Sequence, residues 1–315
     1  MISQWKSLLQ ERLSDWDLPP EGDWSFLVFN NYHPQCTNID LFWFHAGGAF
    51  PRVVTKLCSQ ETVARREYQS LVRVHPYAPM AIPKPLNFEP LDGFWALWME
   101  GVRGAAPRSE DYDASRLRLL VDLIAGIHSA VRTAEDGAPE RYRRMVLEPI
   151  EVVSDFGQDT SVQEGLAKVR SQVSLDWISS LPVVPQHGDL FSGNLLLDGN
   201  QWRVIDWESF GLIDLPCYDL LTLLISLFTQ NGGDPDGWDP GLKELAPTLL
   251  GAYSQTLGLG PANISLLLPL TLANWFHLQW SDGRQPFAGH MYEIIQAYFK
   301  HSEKWHKVLT PRNLA

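Results

Sequence analysis

Cysteine is scarce. Cys36, Cys58 and Cys217 are spread over 315 residues, and no Cys-x-x-Cys pair occurs. That odd number and wide spacing argue against a disulfide framework and for reduced thiols. Positive charge is scarce too: 25 Lys and Arg against 37 Asp and Glu leave a formal net charge of -12. A nucleic-acid binder would carry a basic face, so no nucleic-acid partner is expected. Long apolar runs are missing. The most apolar window, Leu266 to Trp280, is interrupted by Asn274, His277 and Gln279. It is too short and too polar to span a membrane, so no membrane partner is expected. Met1 to Gln10 holds one Lys and no apolar signal-peptide core, so the expected location is cytoplasmic. No internal repeats or low-complexity tracts stand out. What remains is 45% apolar residues and 13 Trp, enough for one large or two modest packed domains.

The chain is organised around Pro185-Gln186-His187-Gly188-Asp189-Leu190-Phe191-Ser192-Gly193-Asn194, followed by Leu195 to Leu197. His-Gly-Asp is a tight loop carrying one carboxylate, Asp189. Asn194 stands directly before an apolar run, as a polar group held at a strand's entrance. Asp198-Gly199-Asn200 is a hairpin turn signal, and Val204-Ile205 returns to Asp206. An amide oxygen and a carboxylate on the two arms of one hairpin are hard oxygen ligands suited to Mg2+. Asp189 is then left to orient a hydroxyl. One Asp for the hydroxyl, with an Asn and an Asp for metal, is the arrangement of phosphoryl transfer.

The pattern His-Gly-Asp-x-x-x-x-Asn, then a hairpin, then Ile205-Asp206-Trp207-Glu208, resembles the aminoglycoside phosphotransferase and choline kinase-like family, relatives of protein kinases. Gly211 to Pro216 and Tyr218-Asp219-Leu220 continue the likeness. By that resemblance Asp189 is the catalytic Asp, Asn194 and Asp206 are the Mg2+ ligands, and Asp219 braces the catalytic loop from the following helix. One departure is Phe191, where the family usually has His. The resemblance covers nearly the whole chain but is specific only between His187 and Asp219.

The N-terminal third fits the same template. Ile2 to Leu13 reads as a short amphipathic helix, with Ile2, Trp5, Leu8, Leu9 and Leu13 on one face. Ser25 to Phe29, Ile39 to Phe44 and Arg52 to Leu57 read as strands, with Asn30 to Asn38 as a loop and Gly47-Gly48 as a turn. In a kinase-like lobe that loop covers the ATP phosphates, yet here it holds no glycine. Lys56, the only Lys between Lys6 and Lys84, lies in an apolar strand and needs a partner there. The template supplies the nucleotide's α- and β-phosphates and a Glu from the next helix, read over Ser59 to Val74 with Ser59 as its N-cap. Glu67 is the preferred partner, with Glu61 as competitor near the helix start. Asp92-Gly93 turns into the strand Phe94 to Met99. The resemblance makes Trp98, Met99 and Glu100 the hinge, whose backbone would pair with adenine.

The rest is helical by period: Asp113 to Ala130, Pro139 to Val146, Ser161 to Ser179, Leu215 to Phe228, Leu242 to Leu257, Asn263 to Trp280 and Pro286 to Trp305. His128 has no partner histidines at metal-ligand spacing and reads as structural. Ser154-Asp155-Phe156-Gly157 spells the Asp-Phe-Gly of protein kinases but precedes the His-Gly-Asp loop. The metal Asp must follow that loop, so the role falls to Asp206 and not Asp155.

The expected fold is therefore α+β: a bilobal protein-kinase-like chain. Residues 1–101 would form an antiparallel-sheet N-lobe and residues 102–315 a mainly helical C-lobe, with ATP or GTP bound between them. The expected activity is Mg2+-dependent transfer of a γ-phosphoryl group to a hydroxyl of a small molecule, such as an aminoglycoside, amino alcohol, sugar or natural product, by a monomer or homodimer. The rival reading is a pseudokinase that binds nucleotide with little turnover, supported by the glycine-free loop. A protein kinase is disfavoured, because no Ala-Pro-Glu segment or long activation loop follows Asp206.

Overall fold

Alternation along the strands decides the first unit, Met1–Ala105 with Leu196–Glu208. The structure is a computed structural model that describes residues 2–19, 22–32, 37–131 and 137–311. Helix α1 (Ile2–Arg12) precedes strands β1 (Trp24–Tyr32), β2 (Thr37–His45) and β3 (Val53–Cys58). Helix α2 (Glu61–Val74) follows, then β4 (Pro85–Leu91) and β5 (Phe94–Glu100). The five strands form one antiparallel sheet in the order β1-β2-β3-β5-β4. Leu41 and Trp43 of β2, Val53 and Leu57 of β3, and Ala96 and Trp98 of β5 point to one face. Trp5 and Leu9 of α1, with Leu13 just past its end, cover that face, the stripe expected from their spacing. Within that core the Trp43 indole donates to Thr55 Oγ1 at 2.9 Å.

Two local expectations differ. The strands reach further into the loop than expected, because Asn31 pairs with Asn38 and Tyr32 with Thr37. The loop tip, residues 33–36, lies outside the described residues. Ser59 does not cap α2. Gln60 is the N-cap, without a side-chain bond, and Ser59 Oγ instead accepts from the Thr37 amide at 3.0 Å. That bond ties the start of β2 to the end of β3.

The second unit, Ala106–Leu195 with Ser209–Ala315, is helical. It contains α3 (Ala114–Ala130), α4 (Ala138–Tyr142), α5 (Glu148–Phe156), α6 (Thr160–Gln172), α7 (Leu175–Ser180), α8 (Tyr218–Phe228), α9 (Pro240–Leu257), α10 (Pro261–Ser281), α11 (Gln285–Lys300) and α12 (Ser302–Leu309). Strands β6 (Leu195–Asp198) and β7 (Gln201–Val204), which from Leu196 on belong to the first unit, make the expected hairpin across Gly199. The expected helix over Ser161 to Ser179 is two helices, because Ser174 accepts from the Trp177 amide and starts α7 afresh. The expected helix over Pro286 to Trp305 also divides, at His301, whose φ of -123° and ψ of 28° leave the helical region.

The basic helix predicted over Pro139 to Val146 runs instead through a π-turn at Arg143–Leu147 into α5. Pro149 has no N–H for the Met145 carbonyl four residues earlier. The buried Asn274 amide of α10 donates to that carbonyl at 2.9 Å. Asp155 and Phe156 end α5. Asp214 anchors the segment after the hairpin. Arg141 Nε reaches its Oδ1 at 2.8 Å and Arg144 Nη2 its Oδ2 at 2.7 Å. Cys58 and Cys217 are free thiols. No single described helix is long and apolar enough to cross a membrane.

Candidate active site

Lys56 shows how the first unit builds its polar centre. On β3 it lies opposite Asp40 of β2 and Leu97 of β5, on the face away from Thr55 and Leu57. Glu67 belongs to the buried stripe of α2 with Ala64, Ser70, Leu71 and Val74. Lys56 Nζ lies 2.8 Å from Glu67 Oε1 and 2.5 Å from Asp206 Oδ1. Glu67 is therefore the Lys56 partner, as preferred. Glu61 stands at the start of α2 and pairs with Arg65. Asp206 follows β7 with a φ of 65°, a left-handed backbone uncommon outside glycine and tolerated best by Asn and Asp. Arg66 Nε donates to the Glu208 carbonyl at 2.6 Å, fastening the Asp206–Glu208 segment to α2.

More negative charge gathers here than one ammonium balances. The carboxylate oxygens of Glu67, Asp206 and Glu208 lie within 4.8 Å of one another. Burial alone would lower the Lys56 ammonium, but Asp206, Glu67, Glu208 and Asp40 hold it well above its ordinary value. Burial pushes the Glu67 carboxyl up, as do Asp206 and Glu208, and the Lys56 charge opposes them. It stands at about 8. Such a set of hard oxygen donors suits Mg2+. Glu208 received no role from the sequence, although it lies two residues past Asp206 in the quoted motif and could have been found there.

In the second unit the His187-Gly188-Asp189 loop hangs from α8. Asp219, fully buried, accepts from the His187 amide at 2.6 Å and the Gly188 amide at 3.0 Å. In return the Asp219 amide donates to Gln186 Oε1 at 2.9 Å. His128 Nε2 lies 3.1 Å from Asp219 Oδ2, and His128 Nδ1 lies 2.6 Å from the Tyr253 hydroxyl. The histidine read as structural is thus a brace of the brace. Asn194 Nδ2 donates to the Asp189 carbonyl at 2.8 Å and lies 3.4 Å from its Oδ2. Two residues missed in the sequence also touch the Asp189 carboxylate: Gln279 Nε2 at 3.3 Å and Arg284 Nη1 at 3.6 Å. Nothing local in the sequence marks them, since they sit about ninety residues away.

Gly188 permits this loop. Its φ is 89°, and a Cβ there would stand 2.7 Å from the Ser209 carbonyl oxygen. Gly188→Ala should lose the handedness cost of about 1–2 kcal/mol plus the cost of moving backbone beside Asp189. Gly199→Ala is the control, since its φ of 63° opens onto free space. Thermal unfolding should rank Gly188→Ala well below Gly199→Ala, and equal melting temperatures would refute the close approach.

The structure thus brings Lys56, Glu67 and Asp206 together in the first unit, and Asp189 and Asn194 together in the second. Trp98 and Met99 lie inside β5, flanked by β3 and β4. The next two amides are already committed, Glu100 to the Lys84 carbonyl at 2.8 Å and Gly101 to the Arg52 carbonyl at 2.9 Å.

The family model described as "Phosphotransferase enzyme family" matches residues 40–263. No curated protein matches the chain by sequence. Among solved structures, a thermostable mutant of the aminoglycoside phosphotransferase APH(4)-Ia, in ternary complex with ADP and hygromycin B, aligns with a TM-score of 0.55 at 14% identity. The alignment covers 94% of this chain and 98% of that one. The amicoumacin kinase hAmiN in complex with AMP-PNP, Ca2+ and Ami gives 0.55 at 13% identity, over 91% and 90% of the two chains. An ethanolamine kinase from Plasmodium vivax gives 0.53 at 14% identity, over 94% and 88%. The antiparallel-sheet unit and the helical unit are those of a protein-kinase-like fold. The chain belongs to the phosphotransferase enzyme family, the one its His-Gly-Asp loop resembles, and its class is that of the small-molecule phosphotransferases.

Proposed function

We propose that the protein transfers the γ-phosphoryl group of ATP, or GTP, to a hydroxyl of a small molecule. The observation that carries this reading is one lysine holding the carboxylates of a helix Glu and a hairpin Asp at 2.8 and 2.5 Å. Phosphoryl transfer asks the protein mainly for positioning and charge neutralisation. Lys56, oriented by Glu67, holds the α- and β-phosphates. Trp98, Met99 and Glu100 lead to the base, and because the Glu100 and Gly101 amides are spent, backbone recognition of adenine falls to the residues just after Gly101. Asn194 and Asp206 are the proposed Mg2+ ligands, with Glu208 added beside them. Bound there, Mg2+ would neutralise charge on the β- and γ-phosphates. Asp189 orients the acceptor hydroxyl and takes its proton as the oxygen bonds to phosphorus and the nucleoside diphosphate leaves.

The test is ATP and GTP consumption with Mg2+ over a panel of hydroxyl compounds, with Asp189→Ala as the blank. A signal that vanishes in the blank supports the reading. Tight nucleotide binding with no turnover on any compound would favour the pseudokinase.

The carboxylate cluster makes a separate prediction. Lys56→Met leaves Glu67, Asp206 and Glu208 facing one another without the ammonium. Its melting temperature should fall by several degrees in EDTA, a loss on the order of 1–3 kcal/mol, and recover in millimolar MgCl2. No difference between EDTA and Mg2+ would remove these residues as metal ligands.

A further inference from the structure

Resting on the phosphoryl-transfer reading above, we infer that Arg284 selects an acceptor carrying an anionic group, a carboxylate or phosphate, near the hydroxyl that is phosphorylated. Arg284 follows the Gly283 turn, at a φ of 77°, that reverses the chain between α10 and α11. Its amide donates to the Gln279 carbonyl at 3.0 Å, which closes the turn and sets the side chain's origin. From there Nη1 lies 3.5 Å from Gln279 Oε1 and 3.6 Å from Asp189 Oδ2. Gln279 is buried, and its amide nitrogen lies 3.3 Å from Asp189 Oδ1. A buried amide therefore donates to the carboxylate, and a cation sits beside it.

The Arg284–Asp189 contact is loose. Charge-assisted N–H···O bonds close to about 2.7–2.9 Å, well short of the 3.6 Å here, and the Arg284 side chain keeps 30% of its surface exposed against 12% for Asp189. A guanidinium has a planar fork of donors that matches carboxylate and phosphate oxygens. A hydroxyl bonded to Asp189 brings the atoms next to it within reach of that fork. An anionic substituent there gains charge-assisted hydrogen bonds. An ammonium there meets a like charge, although the chain as a whole is acidic.

The test measures binding, so it does not depend on turnover. The probes are 3-hydroxybutyrate, 3-hydroxybutyramide and 4-amino-2-butanol, which share a secondary hydroxyl and differ in the charge they carry. Each is titrated by calorimetry or ligand-observed NMR into the full chain with Mg2+ and a non-hydrolysable ATP analogue. The wild type should bind the carboxylate about 10- to 100-fold more tightly than the amide, the range of a charged hydrogen bond, and the amine most weakly. Arg284→Gln should erase that order while nucleotide affinity stays that of the wild type.

Equal affinities for the three compounds in the wild type, tighter binding of the amine, or no binding of the carboxylate overturns the inference. So does a carboxylate preference that survives Arg284→Gln, or a fall in nucleotide affinity in that variant, which would put the guanidinium on the phosphates. Failure of the phosphoryl-transfer reading is seen elsewhere, as nucleotide consumption that is identical in the wild type and Asp189→Ala.

Discussion

Asp189→Ala should lower kcat by about a hundred- to ten-thousand-fold, the range supplied by one positioned acid or base, while leaving nucleotide affinity close to that of the wild type. The division follows from where each bond goes. The loop's shape rests on backbone groups: the His187 and Gly188 amides bind Asp219, and the Asn194 side chain binds the Asp189 carbonyl. None of these bonds uses the Asp189 carboxylate, so truncating it removes the proton acceptor and spares the loop. The Lys56, Glu67 and Asp206 contacts that we assign to nucleotide and metal belong to other residues. The measurement is steady-state turnover on whichever acceptor the panel identifies, with nucleotide affinity by fluorescence or calorimetry. Similar turnover in both proteins would take the catalytic role away from Asp189. A matched loss of nucleotide affinity would make the residue structural.

The largest effect on stability is expected at Asp219. Its carboxylate is fully buried, holds two loop amides and faces His128. Asp219→Ala strands both N–H groups and the imidazole in a buried site, a loss on the order of 3–5 kcal/mol, or about five to eight degrees in melting temperature for a chain of this size. Asp219→Asn should fall between. Its amide can keep one acceptor toward the loop but turns a donor toward the other N–H. Activity should drop in both variants because Asp189 follows directly on the released amides. A melting temperature within a degree or two of the wild type would mean that the loop is held by something other than α8. His128→Phe is the companion variant: it removes the second support while leaving the loop amides bonded, so it should cost less than Asp219→Ala.

Some of the site was legible because its signals are local. Asp189, Asn194 and Asp206 sit in one stretch of twenty residues, where a glycine loop, an apolar run and an Asp-Gly-Asn turn each restrict the backbone. Glu67 was legible because helical period places it on the buried stripe of α2. The α1 face against the sheet followed from the same arithmetic. The helix breaks at Ser174 and His301 were not legible. Apolar period runs smoothly through both points, and a single capping bond or one residue leaving helical φ and ψ divides the helix. The pairing of Asn274 with the Met145 carbonyl was hidden as well, since it answers a missing proline N–H on another helix.

What the sequence by itself determined is the order of strands and helices, the family, and which residue types carry the chemistry, because these depend on period, turn residues and spacing along the chain. Only the tertiary structure decided what surrounds them. It set Glu208 and Asp40 around Lys56, made His128 and Tyr253 a support beneath Asp219, and brought Gln279 and Arg284 onto the Asp189 carboxylate. Those contacts join residues far apart in the chain. Their partners are chosen by how helices and strands pack, and packing distances carry no signature in local sequence.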